Sequence, residues 1–484
     1  MSPSVSTKAT TPVPTFETLG VKPVVNLMGT YTFLSGSRMI EQSADAMVEA
    51  SNHYVHMDQL MEKVGERLAE LTGAEWGYIT SGAAASLCQV TAACIAGANP
   101  EKMTRLPETA GMKNEVISQK AHRNSYDRAI LMAGARMIEV VTKADLLAAI
   151  SERTALIAIT GDAEEHSTIP VKEMIDVAKA HGIPCMVDAA AQRPDVPNRY
   201  LEMGADAVFY SGGKCLRGPQ TAGLALGKKA LLQTAFLNGA PHHGLGRPMK
   251  AGKEEIMGLM AAVEAWINGR DHEAEWRMWE GYLETIRLAV ADLPSLTTRI
   301  NQPGLSNHSP SLTIMWDPAV LNVTPKQVHQ ELWDGKPSVI LHLRPEGVHV
   351  MPYMMETGDA EIAARRLREV LSDRPAQAAP DAGVPAQVAG EWEIHVEYMM
   401  GESDHSMTLE QQGNELKGGY RSQYEWTEVK GQVNGDQVEF STRLGYQSNR
   451  VTYSYTGTVA GDTMSGDVDL GEYWSAKWTA KKVG

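Results

Sequence analysis

Lys214 is the residue whose type and setting best suit covalent chemistry in this chain. It lies in AVFYSGGKCLRGPQTAG (207–223), where a strand-like run enters a turn of small residues. Desolvation at such a strand end frees an amine's lone pair for imine formation with a carbonyl. Taken alone, a lysine is more often a solvated surface charge. Asp188 is the second group. It ends the apolar run in IPCMVDAAAQ (183–192) with no positive neighbour in sequence. A buried carboxylate is costly unless paired, so Asp188 either meets a cationic partner or caps a helix. It precedes Lys214 by 26 residues, enough for one helix and one strand. That spacing predicts both at the carboxyl ends of neighbouring strands, where open α/β sheets bind ligands. The third feature is Thr80-Ser81-Gly82-Ala83-Ala84-Ala85-Ser86. Strand, small-residue turn and helix together offer free N–H groups and a positive dipole end to an anion. Ser81 and Ser86 would add hydroxyls. The stretch lacks the G-K-[ST] of a P-loop and also reads as a tight packing turn.

The elements that must position these groups alternate. EQSADAMVEASNHYVHMDQLMEKVGERLAELTG (41–73) has helical spacing and ends at a glycine suited to a C-terminal cap. WGYIT, EVIS, MIEVV, ALIAIT, PCMVDA, AVFYSG and GLALG read as buried strands, with helices such as VKEMIDVAKAHG between several of them. Alternation of this kind means βαβ units and a largely parallel sheet. Residues 253–293 read as one long helical stretch leading into a smaller α+β region. DRPAQAAPDAGVPAQVAG (373–390) has linker composition. Beyond it, about eight short alternating strands with Gly/Asn/Asp turns predict an antiparallel barrel or sandwich. Trp426, Tyr446, Tyr453, Tyr455, Tyr473, Trp474 and Trp478 are read as that domain's own core. The expected domains are a loose lead-in at 1–15, a large domain at 16–260, a small α+β domain at 261–372, a linker at 373–389 and an all-β domain at 390–484.

Small-residue loop, then Asp, then Lys with a nearby Ser is the order found in fold-type I enzymes of pyridoxal 5′-phosphate (PLP). In detail VNLMGTYTFLSGSRM (25–39), LAELTGAEWGYITSGAAAS (68–86), KAHRNSYDRAILMAGA (120–135), VDAAAQ (187–192), YSGGKCLRGPQTAG (210–223) and GLGRPMKAGKEEIMGLMAAVE (244–264) resemble the selenocysteine-synthase-like branch. Within it the resemblance is to D-glucosaminate-6-phosphate ammonia-lyase and its relatives, over roughly residues 16–372. It implies an aspartate-aminotransferase-like fold: a mostly parallel seven-stranded sheet with a small α+β domain.

The resemblance also implies roles. Lys214 is the Schiff-base lysine and moves the α-proton. Asp188 faces the pyridine nitrogen, and His122 stacks on the ring. Ser81, Gly82 and Ala83 cradle the phosphate with help from Ser211, and Thr221, at the end of the turn Arg217–Thr221, is a further cofactor-binding residue. Gln192 reaches the cofactor's O3′ or is merely a polar helix-start residue. Arg217 lies in a loop that reaches a neighbouring subunit's site. Arg247, with Lys250, and Arg344 are candidates for a substrate carboxylate or phosphate, since guanidinium binds such groups bidentately. The implied reaction is α-proton abstraction and β-elimination with ammonia release, on an amino acid or amino sugar acid. A racemase, an aldolase and a non-catalytic binding protein on the same fold are the alternatives.

Composition bounds the partners. A net charge of −15 without a long basic run disfavours nucleic acid. No apolar run approaches the roughly 18 residues that span a membrane. The opening MSPSVSTKATTPVPT lacks an apolar h-region, so a cytoplasmic protein is expected. Four cysteines without C-x-x-C spacing read as free thiols. His242-His243 has no third ligand at readable spacing, so no metal is expected. A homodimer or larger homo-oligomer follows from the resemblance.

Overall fold

The computed structural model describes residues 13–306, 308–372, 374 and 383–483. Most of the expected lead-in and half of the expected linker (1–12, 373 and 375–382) lie outside the described residues. The chain divides into two compact units, Met1–Ala376 and Gln377–Gly484.

The first unit is built on a seven-stranded sheet. In chain order β1 is Val24–Asn26, β2 Trp76–Thr80, β3 Glu115–Gln119, β4 Arg136–Val140, β5 Thr154–Thr160, β6 Cys185–Asp188, β7 Ala207–Ser211 and β8 Gly223–Gly227. The large sheet runs β2-β8-β7-β6-β5-β3-β4. Only β8 is antiparallel to its neighbours; the pairs from β7 to β4 are parallel. Strands β2, β3 and β8 are buried throughout, β3 with the polar residues Glu115, Ser118 and Gln119 among them.

Two long helical readings are corrected. Residues 41–73 form α1 (Glu41–Ser51) and α2 (Met57–Thr72). The Asn52 side chain closes α1 by donating to the Val48 carbonyl at 3.0 Å. His56 then turns extended, and Gly73 caps α2 in the left-handed conformation. Residues 253–293 form the helices Lys253–Asn268 and His272–Val290. Gly269 ends the first, and the Asp271 side chain caps the second through the Ala274 N–H. The helix α3 (Ala83–Ala96) is almost wholly buried and carries no charge.

The small α+β region follows. Its antiparallel sheet orders His342–Arg344, Gly347–Val350, Ser311–Met315 and Thr297–Asn301. The run VILHLR therefore splits: Ser338–Ile340 leaves this sheet to pair in parallel with β1. The second unit is a closed antiparallel barrel of eight strands, from Gly390–Glu397 to Ser475–Lys482. The aromatics read as its core divide. Tyr455 and Trp478 are interior, Tyr453 is half-buried, and Trp426, Tyr446, Tyr473 and Trp474 are exposed.

Gly65 of α2 lies against Trp76 of β2, where an added Cβ would fall 2.0 Å from the indole. Gly65→Ala is expected to destabilise the first unit by about 1–3 kcal/mol through overpacking. Thermal unfolding followed by circular dichroism checks this.

Candidate active site

The carboxyl ends of β2, β6 and β7 hold the three features singled out by sequence. After Thr80 the chain enters α3 through Gly82, whose φ of 108° and ψ of 158° suit glycine. Thr80 Oγ1 hydrogen-bonds the Gly82 carbonyl and Ser86 Oγ, each at 2.8 Å. Ser86 thus faces inward and braces the turn, so it adds no hydroxyl to an anion. The Ala85 and Ser86 N–H groups donate to the Gly82 carbonyl. No side chain caps α3, and no partner among the described residues takes the N–H groups of Gly82, Ala83 and Ala84. A Cβ on Gly82 would meet nothing within 4 Å, so space opens above the turn. Below it the packing is tight: a Cβ on Gly223 would lie 2.3 Å from the Gly82 carbonyl carbon and 2.6 Å from the Ala83 nitrogen. Ser81 is half-buried and Ala83 buried.

Asp188 ends β6, beside β7 in the sheet. Its Oδ1 accepts the Ala190 N–H at 3.0 Å, a local turn rather than a helix cap. No ion pair within 4.0 Å is formed by this carboxylate among the described residues. Burial pushes its carboxyl up to about 6, opposed by the Ala190 N–H and by the charge of Lys214. Lys214 lies three residues beyond Ser211, the last of β7, and is half-buried. Its amine makes neither hydrogen bond nor ion pair among the described residues. Two glycines shape its loop. A Cβ on Gly212 would strike the Ala222 carbonyl at 2.8 Å and one on Gly213 the Gln220 Cα at 2.6 Å. The Arg217 N–H closes onto the Lys214 carbonyl at 2.9 Å, with Arg217 at φ 56°.

His122 follows β3 and is 1% exposed. Its Nδ1 accepts the Thr160 N–H at 3.3 Å, which leaves the proton on Nε2, facing Ser167 Oγ at 2.6 Å. Burial pushes the imidazole down to about 4, so it is neutral near pH 7. With both nitrogens engaged it offers a ring face rather than a proton. Gln192 is buried; its Oε1 accepts the Tyr200 hydroxyl at 2.9 Å, and its Nε2 has no partner among the described residues.

The arginines differ. Arg217 pairs with Glu356 at 3.0 Å and donates to the Arg38 carbonyl at 2.9 Å, tying the lysine loop to the small region. Arg247 and Arg344 are exposed, as is Thr221. Arg344 lines a shallow groove with Thr324, Pro325 and Lys326. His242 meets Asp58 at 3.1 Å, and no group of three metal-ligating side chains occurs among the described residues. The four cysteines are free.

Sequence reading missed Arg270. Its guanidinium donates to the Cys215 carbonyl at 2.6 Å, binds Glu275 at 2.7 Å and covers the Trp266 ring, bracing the lysine loop from behind. The break Gly269-Arg270-Asp271 inside a helical pattern was the available signal. Tyr353 was also missed; its hydroxyl accepts the Thr30 N–H at 3.0 Å.

Among the described residues, an amine without a partner, a buried carboxylate without a cation and a helix start with open N–H groups are the groups that a phosphorylated pyridine aldehyde would engage. The fold and the site are those of a fold-type I PLP-dependent enzyme. A model of the family described as aminotransferase class-V matches residues 37–262. A 5′-C-glycyluridine monooxygenase-decarboxylase of a Streptomyces species is 31% identical over 374 residues, 74% of this chain and 92% of that protein. The D-glucosaminate-6-phosphate ammonia lyase of Salmonella typhimurium is 29% identical over 371 residues, 73% of this chain and 97% of that one. A solved D-glucosaminate-6-phosphate ammonia-lyase is similar with a TM-score of 0.65 at 28% identity, covering 74% of this chain and 99% of that chain. The chain belongs to the aminotransferase class-V family, and its cofactor is PLP.

Without cofactor, Asp188 should destabilise the fold at alkaline pH. Its folded pKa of about 6 exceeds the ordinary 3.8. Between those values the folded state keeps a proton that the unfolded state has lost, so this group's contribution worsens as pH rises. Asp188→Asn is expected to stabilise the apoprotein by about 1–3 kcal/mol at pH 8 and not at pH 4, while weakening PLP binding at least tenfold. Melting curves of stripped protein at the two pH values and PLP titration read both effects.

Proposed function

We propose that this enzyme is a lyase that releases ammonia from an amino sugar acid or a related β-hydroxy amino acid. The observation that carries the reading is the likeness of the first unit, in sequence and in structure, to D-glucosaminate-6-phosphate ammonia-lyase over nearly that protein's whole length. Bound PLP supplies an aldehyde for the substrate amine and a ring that accepts electrons from Cα.

The chain's own residues do the rest in this reading. The N–H groups of Gly82 and Ala83, with Ser81 and Ser211, hold the phosphate, and Thr221, at the end of the turn Arg217–Thr221, is a further cofactor-binding residue. With PLP bound, the Asp188 carboxylate would stabilise a proton on the pyridine nitrogen, and Gln192 Nε2 would be available to donate to O3′. The neutral His122 ring covers one face and moves no proton. Lys214 would hold the PLP aldehyde, and its amine would take the Cα proton of the bound substrate. Loss of the β-hydroxyl as water, followed by addition of water at Cα, leaves a keto acid and ammonia. Arg344, which makes no ion pair among the described residues, is assigned to the substrate carboxylate. Arg217 and Arg247 are secondary candidates for the same charge.

The enzyme is further assigned to the cytoplasm as a homo-oligomer. No helix among the described residues is long and apolar enough to cross a membrane.

The purified protein is expected to absorb near about 420 nm, and Lys214→Ala to lose that band together with more than about 10³-fold of its activity. Incubation with D-glucosaminate and its 6-phosphate should yield ammonia and keto acid in equal amounts, equally well without oxygen. An oxygen requirement with carbon dioxide release would instead favour a decarboxylase. Loss of optical activity without ammonia would favour a racemase, and an aldehyde product an aldolase. Light scattering should give a mass of at least two chains.

A further inference from the structure

The two ends of the C-terminal barrel differ in chemistry. At one end the turns 413–414, 435–436 and 461–462 are tight and glycine-led. The chain entering the barrel crosses this end. Ala386 N–H donates to the Gly435 carbonyl at 2.7 Å and Val388 N–H to Gln411 Oε1 at 2.8 Å. Val388 and Trp392 are fully buried there, and the Trp392 indole donates to the Val388 carbonyl at 2.8 Å. This end is an apolar plug.

At the other end the turns 398–401, 422–425, 447–448 and 470–474 carry or adjoin Met400, Tyr424, Tyr446, Tyr473 and Trp474, all exposed. Trp474 is 70% exposed at φ 70° and ψ −140°, a backbone state unusual for a bulky residue. Inside this rim the barrel is polar. The Tyr398 hydroxyl lies 2.7 Å from Ser403 Oγ and 3.4 Å from the Tyr453 hydroxyl. Ser403 Oγ contacts His405 Nε2 at 2.5 Å. Deeper, the Tyr420 and Tyr455 hydroxyls meet at 2.6 Å. His405 is 8% exposed, and its Nδ1 is buried without a partner among the described residues. Tyr398, Ser403 and Tyr453 are only half-buried, so this ladder reaches the mouth.

An eight-stranded barrel is wide enough to admit one small ligand at its mouth. A hydroxyl has one donor and two acceptor sites, so the half-buried hydroxyls at the mouth keep hydrogen-bonding capacity beyond the bonds they make with one another, which an apolar surface laid across the rim would not use. The four turns contain no Lys or Arg and carry Glu425 and Glu472; Arg450 beside them directs its Nη1 to the Gln447 and Asn449 carbonyls at 2.8 Å, so the rim does not favour a phosphate or carboxylate. Aromatic faces above and hydroxyls below suit a ring with C–H faces and an edge of hydroxyl groups. We propose that this end of the barrel binds a neutral polyhydroxylated ring, a carbohydrate, stacked on the rim aromatics with its hydroxyls on Tyr398, Ser403 and Tyr453. The proposal is independent of the reaction run by the first unit.

The full chain is titrated with glucose, N-acetylglucosamine and short neutral oligosaccharides, with tryptophan fluorescence and calorimetry as readouts. Saturable binding with Kd of about 1 mM or tighter is expected for at least one member. Trp474→Ala, on the surface, should weaken it at least tenfold with an unchanged melting curve. Ser403→Ala should weaken it severalfold. Absence of saturable binding across the panel overturns the proposal, as does binding that Trp474→Ala leaves intact. Retention on neutral lipid vesicles in place of sugar binding, or loss of the oligomer in Trp474→Ala, would make the rim a membrane or subunit contact and also overturn it.

Discussion

The first unit is organised around a carboxylate that the fold itself does not satisfy. Asp188 ends a central strand among apolar side chains, receives one N–H, and is pushed towards its protonated form by burial. Such a group is destabilising alone and stabilising once a cation faces it. The neighbouring strand delivers an amine that makes no bond of its own, and the free N–H groups of α3 open at the end of β2. These are three incomplete interactions at one edge of a sheet, and in the proposed reading a single charged, phosphorylated ring completes them together.

Holding that arrangement depends on backbone contacts closer than a side chain permits. Gly223 passes under the turn at Gly82 and Ala83, and Gly212 and Gly213 fold the lysine loop against Ala222 and Gln220. Arg270 braces the loop through the Cys215 carbonyl, and Arg217 joins it to Glu356 in the small region. The same loop therefore answers to both parts of the unit.

Much of this was legible in sequence because it rests on local pattern. Buried strands read as short apolar runs, and the order of small-residue loop, Asp and Lys carries the chemistry. The edges of helices were harder: residues 41–73 and 253–293 keep helical spacing across breaks made by Asn52 and by Gly269 with Asp271. Ser86 was assigned outward because a hydroxyl in a turn has no visible partner until Thr80 is seen beside it. Arg270 and Tyr353 act over long sequence separations that no spacing encodes. In the barrel, alternation predicted strands, but it could not tell interior aromatics such as Tyr455 from rim residues such as Trp474. That depends on which turns share an end.

The pairing of β1 with Ser338–Ile340 bears on how the chain is made. The first described strand lies beside residues emerging more than three hundred positions later. At about 5–20 residues per second, β1 stands on the ribosome for roughly 15 to 60 s before its partner exists. Its backbone donors and acceptors stay open to solvent or to a chaperone for that time, while the seven-stranded sheet, whose last strand ends at Gly227, can already close. Nascent-chain length thus separates assembly of the catalytic sheet from attachment of its amino-terminal strap.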